Sequence, residues 1–219
     1  MVAIMSIARK DGTSIVTDEL LDKKSNTLVI VLGGYGYTLN HPILYYTKSI
    51  AKELSCDCLG IDFNYKNNLI FLGKTENDKD TYFEDDVVLA IEYIKECSKT
   101  YRKIVFIGKS MGTSIIKRLF TNKDLLRKSA SVLITPGTEW SSILRVIIAI
   151  DSPILVIGSM ADSNYRIEGL SELKTRNNIE VLEFQDANHV LETGNVDQDL
   201  EILKTVISAI KEFIKGQFV

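Results

Sequence analysis

Short runs of aliphatic and β-branched residues recur along this chain, separated by longer stretches whose apolar residues return every three or four positions. That alternation restricts the fold to a mostly parallel sheet with helices on both faces. Each parallel strand pair needs a crossover, and the crossover helices cover the sheet. The spacing predicts buried strands at 27–32, 58–63, 103–108, 131–135, 154–158 and 179–184, preceded by two N-terminal strands at 2–8 and 14–20. Helices are expected at 42–54, 110–120, 141–150, 167–176 and 197–215. One more is expected to open at the acidic group Glu84, Asp85 and Asp86, with Val87, Val88, Ile91 and Ile94 on its buried side. Residues 64–84 read as an irregular polar stretch, either a surface loop or a flap over an entrance.

Composition narrows the possibilities further. Apolar residues make up 45% and charged residues 25% of the 219, ordinary values for a globular protein, with no proline-rich or glycine-serine-rich linker and no internal repeat. One domain spanning 1–219 is therefore expected. The net charge of -3 is spread over interspersed acids and bases, which predicts no nucleic-acid partner. No apolar run approaches the ~20 residues that cross a bilayer, so no membrane partner is expected. The N-terminus lacks the pattern of a secretory signal, and a cytoplasmic location follows as the expectation. Cys56, Cys58 and Cys97 are read as reduced and structural.

The chemistry concentrates in Ile104-Val105-Phe106-Ile107-Gly108-Lys109-Ser110-Met111-Gly112-Thr113, where a strand runs through a glycine-flanked serine into a helix. Bulky residues at positions 108 and 112 would collide with the neighbouring strand and helix, and the sharp turn leaves the Ser110 hydroxyl clear of the sheet. The bland alternative is a glycine-rich turn with an N-capping serine. A serine hydroxyl needs a base near neutral pH, and histidine suits that role. The chain has two histidines. His189 follows the last strand, at the end of the sheet that carries the serine. His41 stands at a helix start, where capping or exposure accounts for it, although it is also placed to border a pocket. The base needs a carboxylate to fix its tautomer, and Asp162, just past the penultimate strand, completes the order Ser110, Asp162, His189. Asp186, Glu139 and Asp62 are the competing acids.

Acyl transfer also calls for N–H donors around an oxyanion. Met111, directly after the serine, supplies one. The loop Leu32-Gly33-Gly34-Tyr35-Gly36-Tyr37-Thr38 supplies the other, with Tyr35 the candidate donor and the alternative that its glycines merely make a turn. Gly34 in that loop and Trp140 beyond a strand end are candidate substrate contacts, core packing being the equal alternative for Trp140. The same loop lacks the final glycine of a dinucleotide fingerprint, and Gly108-Lys109-Ser110 lacks the upstream glycine of a P-loop. Two histidines and scattered acids show no metal-ligand spacing. No cofactor and no metal are expected.

These motifs resemble the α/β-hydrolase superfamily, in particular its small bacterial members without a cap domain. The resemblance covers nearly the whole chain and rests on Gly33-Gly34-Tyr35-Gly36, the Gly108 to Gly112 elbow, Gly158-Ser159-Met160-Ala161-Asp162 and Asn188-His189. It implies an α/β-hydrolase fold without a large cap, since one short helix separates the strands where caps usually enter. It further implies a cofactor-independent serine hydrolase of unspecified substrate, since the same apparatus serves esterases, thioesterases, lipases, amidases and peptidases, and a small-molecule ester or thioester is the expected substrate. Gly33 stands where many relatives carry histidine. Amide or peptide cleavage, acyl transfer, and a noncatalytic small-molecule receptor on the same fold are the alternatives.

Overall fold

A computed structural model of the chain describes residues 3–21, 25–137, 140–165 and 170–217. A hairpin opens the described chain, β1 (Ala3–Ala8) against β2 (Ser14–Leu20), with Gly12 at φ +85° in its turn. There follow β3 (Thr27–Leu32), α1 (Pro42–Glu53), β4 (Asp57–Asp62), a short α2 (Leu69–Leu72), α3 (Glu76–Cys97) and β5 (Lys103–Lys109). Then come α4 (Met111–Leu119), α5 (Lys123–Arg127), β6 (Ser129–Ile134), α6 (Trp140–Ile148), β7 (Ile154–Ser159), α7 (Leu170–Lys174), β8 (Ile179–Phe184) and α8 (Val196–Gly216). The strands form one sheet in the order β1-β2-β4-β3-β5-β6-β7-β8, antiparallel at β1-β2-β4 and parallel from β4 onward.

Side-chain alternation along the central strands feeds two separate cores. Val29, Val31, Val105, Ile107, Val132 and Ile157 meet α1 and α8 on one face. Leu28, Ile30, Phe106, Leu133 and Val156 meet α3, α4 and α6 on the other. Burial on both faces explains why these strands are apolar at nearly every position rather than at every second one. Asparagine side chains cap several helices, Asn195 accepting from the N–H groups of Asp197 and Gln198 at the start of α8, and Asn122 doing the same for α5. Only α6 and its flanking turns separate β6 from β7, so no large cap enters there.

The stretch 64–84 differs from its sequence reading. Most of it is helical: a 3-10 turn at Tyr65–Asn67, α2, and the beginning of α3, which starts at Glu76 rather than at the acidic group. Thr75 caps α3, its hydroxyl accepting from the Asp78 N–H. The early turns of α3 are solvated on most sides, so they carry no apolar stripe, and burial begins at Asp86 and Val87. Asp86 is itself part of a buried ion pair: Arg9 donates from Nε and Nη2 to its two oxygens at 2.8 Å each, and the Tyr65 hydroxyl donates to it at 2.6 Å. The helix α5 was not anticipated, and the expected helix start at 167–169 lies outside the described residues.

Among the described residues no helix is long and apolar enough to cross a membrane. The three cysteines are free thiols, Cys56 and Cys58 buried, and burial pushes those two thiols up to about 11 and about 12.

Candidate active site

The parallel strands β3, β5, β6, β7 and β8 all end on one side of the sheet, and each delivers a loop to the same place, as expected for a site at the carboxyl edge of parallel strands. The centre is the turn from β5 to α4. Ser110 occupies φ 53°, ψ -113°, a conformation costly for a residue with a side chain. The flanking glycines make it possible. A Cβ on Gly108 would lie 2.7 Å from the Gly112 carbonyl carbon, and one on Gly112 would lie 2.5 Å from the Leu32 carbonyl oxygen. The turn presses against β3 and against its own helix, so neither position tolerates a side chain.

The Ser110 hydroxyl caps no backbone N–H of α4. It meets His189 instead, Nε2 to Oγ at 2.8 Å, while His189 Nδ1 meets Asp162 Oδ2 at 2.7 Å. Two residues 27 and 79 positions from the histidine are thereby joined with it in one chain of hydrogen bonds. The Asp162 side chain is fully buried and that of His189 is 31% exposed. Burial pushes the Asp162 carboxyl up, but the hydrogen bonds from His189 and from the Asn164 N–H, together with the charge of Lys109, outweigh it and hold it below the usual carboxylate range. Asn188 organises the loop that carries the histidine, its Oδ1 accepting from the N–H groups of Val190 and Glu192. Leu191 in that loop sits at φ 67°.

The loop after β3 packs on Ser110. A Cβ on Gly34 would lie 3.2 Å from the Lys109 carbonyl oxygen and 3.4 Å from Ser110 Cβ, a tight fit that a side chain here could make only by pushing its neighbours back a few tenths of an ångström. The N–H groups of Tyr35 and Met111 have no acceptor among the described residues, and α4 directs the positive end of its dipole to the same spot. The Tyr35 side chain is 45% exposed and rests on Tyr65 and Phe71. A cleft of about 480 Å³ opens over Ser110, with Tyr35, Tyr37, His41, Lys66, Val190 and Glu192 around it. His41 thus lies at the rim, its Nδ1 accepting from the Thr38 N–H at 2.9 Å.

Of the other candidates, Trp140 requires a correction: it is 1% exposed, packs on Tyr165 and belongs to the core under α6, not to the cleft. Its position just past the β6 loop suggested exposure, but the first turn of α6 rotates it inward. Asp186 is exposed. Asp62 accepts from the N–H groups of Leu39 and Asn64 and braces the loops beside β3 and β4. Glu139 lies outside the described residues. Two neighbours of Ser110 went unnoticed in the sequence. Gly137 lies so close that a Cβ there would stand 3.6 Å from Ser110 Oγ, and Lys109 is completely buried, its ammonium donating to the His189 carbonyl oxygen.

Among the described residues no cluster of histidines, cysteines and acids is placed to hold a metal ion. No protein-family model matches the chain, and no curated protein matches it. Solved structures do. An esterase of Pyrococcus furiosus superimposes with a TM-score of 0.68 over 99% of this chain and 92% of its own, at 19% identity. Est1E of Butyrivibrio proteoclasticus gives 0.68 over 98% of both chains at 14% identity. A serine hydrolase without a lid from Xanthomonas campestris gives 0.66 over 98% and 94% at 15% identity. The fold is that of the small α/β-hydrolases that lack a large cap.

Proposed function

We propose that this chain is a serine hydrolase that cleaves a carboxylic ester or thioester of a small molecule through an acyl-enzyme on Ser110. The observation that carries the reading is the unbroken hydrogen-bonded series Asp162, His189, Ser110 at 2.7 and 2.8 Å, on a strained elbow whose hydroxyl has no capping duty. Ser110 Oγ attacks the acyl carbonyl carbon as His189 Nε2 takes its proton. Asp162, buried and ionised, holds the Nδ1 proton and offsets the imidazolium charge. The Tyr35 and Met111 N–H groups receive the oxyanion. Collapse of the tetrahedral intermediate returns the proton from Nε2 to the leaving oxygen or sulfur. Water then attacks the acyl-enzyme with the same histidine as base, and Ser110 is regenerated.

The open cleft favours small or extended substrates over a long acyl chain sealed from water. The comparison proteins support the same reading, two being described as esterases or serine hydrolases, and Est1E having been obtained with ferulic acid bound. The test is a panel of p-nitrophenyl esters and acyl thioesters of increasing size, assayed with wild type and Ser110→Ala. Turnover that disappears in the alanine variant supports the reading. Equal rates for the two proteins, or no turnover of any member, would remove it.

A further inference from the structure

Lys109 is the central residue of the elbow's first half, and its side chain is among the largest fully buried ones in the protein. A buried lysine is expected to neutralise a carboxylate directly, yet among the described residues this one touches none. Its Nζ donates to the Thr135 hydroxyl and, at 2.7 Å, to the backbone carbonyl of His189, and it lies 5.1 Å from the centre of the Tyr37 ring. The three N–H groups of an ammonium are matched by two oxygens and one aromatic face. Its acceptors come from the end of β6 and from the loop after β8, and the lysine itself starts from β5, so one side chain ties three loops together under the nucleophile. Thr135 is held at φ 37° there, a strained conformation that presents its hydroxyl to the lysine.

We infer that Lys109 is a positioning residue of the triad, fastening the His189 loop through the His189 carbonyl and setting a positive charge behind the Asp162–His189 pair. The inference rests on the serine-hydrolase reading of the same site. Electrostatics supports the geometry. The charges of Lys109 and Asp162 stabilise each other across the site. Burial nevertheless pushes the lysine down to about 7, the attraction of Asp162 only partly opposing it. Below that pH the cation is present and opposes uptake of a proton by the imidazole. Among the described residues, the other charged or titratable groups around the cluster are Tyr37 against the lysine, and His41, Lys66 and Glu192 on the rim of the cleft.

The test compares wild type with Lys109→Met, which keeps the bulk, and Lys109→Arg, which keeps the charge, by fluorophosphonate labelling of Ser110 and by the pH profile of kcat/KM for a hydrolysed ester. Loss of the fastening lets the imidazole drift, and a displacement of about 1 Å costs roughly 10²-fold, so Lys109→Met is expected to fall by that factor in kcat with little change in KM. Removing the cation also moves the acid limb to higher pH by roughly one unit, which a purely structural lysine would not do. Lys109→Arg is expected to restore the limb and part of the rate. If Lys109→Met does not fold, as judged by circular dichroism, Thr135→Val takes its place, with a several-fold fall in kcat expected at unchanged KM. Wild type labelled at Ser110, with variants of unchanged rate and unchanged acid limb, overturns the role of Lys109. Wild type that is not labelled at all overturns the hydrolase reading instead.

Discussion

Replacing Asp162 by asparagine keeps the shape of the side chain and changes one thing, which of its atoms accept hydrogen bonds. Oδ1 of Asp162 accepts from the Asn164 N–H at 2.9 Å, and Oδ2 meets His189 Nδ1 at 2.7 Å. An asparagine here must keep its single oxygen at the Oδ1 position, because its NH2 group would otherwise face the Asn164 N–H, donor against donor. The NH2 then points at His189 Nδ1. The imidazole must accept there, so its proton moves to Nε2, where it faces Ser110 Oγ as a donor and no longer serves as base. The same substitution in the chymotrypsin-type triad lowers kcat by about 10⁴, a barrier increase of roughly 5 kcal/mol, and that is the loss expected here. Folding should survive, since shape and packing are unchanged. The assay is turnover of the best ester of the panel, with the rate of fluorophosphonate labelling and a urea titration in parallel. A folded Asp162→Asn protein within tenfold of wild type would refute the reasoning.

The Arg9–Asp86 pair is more than nine-tenths buried on both sides, so Arg9→Met leaves an unpaired carboxylate and should cost about 3–5 kcal/mol, whereas the double variant with Asp86→Leu should recover much of it. Urea unfolding of the four proteins of this cycle checks it, and equal losses in single and double variants would contradict it. Gly112→Ala places a Cβ against the Leu32 carbonyl and should destabilise the protein by at least about 1–3 kcal/mol while abolishing Ser110 labelling; retained labelling with unchanged urea midpoint is the contrary result. The Asp162 carboxyl lies below its unfolded value, so its contribution to stability is present above the unfolded pKa and is lost as pH falls through the folded one. Wild type should therefore lose more stability than Asp162→Asn between about pH 5 and pH 2, read from urea midpoints at each pH.

The parts of this architecture visible in the sequence are those set by local chemistry. Strands buried on both faces announce themselves as unbroken apolar runs, and the elbow is legible because two glycines four positions apart around a serine answer a steric demand made within a few residues. His189 and Asp162 were legible by position, each on the loop after a strand that ends at the carboxyl edge. What was hidden depends on partners far along the chain. The start of α3 at Glu76 shows no apolar stripe, because its first turns meet solvent, and its deepest polar residue, Asp86, is buried with partners distant in the chain, Arg9 77 positions and Tyr65 21 positions away. Trp140 was ambiguous because nothing local tells an inward from an outward turn of α6. Lys109 carries no role in the sequence reading, since lysine is ordinarily a surface residue and its acceptors at Thr135 and His189 lie 26 and 80 positions downstream.

Activation of Ser110 as a nucleophile is read most directly with a fluorophosphonate probe, which requires no knowledge of the substrate. Intact-mass analysis with mapping of the modified peptide should give one adduct per chain on Ser110, absent in Ser110→Ala and slowed strongly in His189→Ala. A folded wild-type protein that takes up no probe, or takes it up at another residue, would contradict the account.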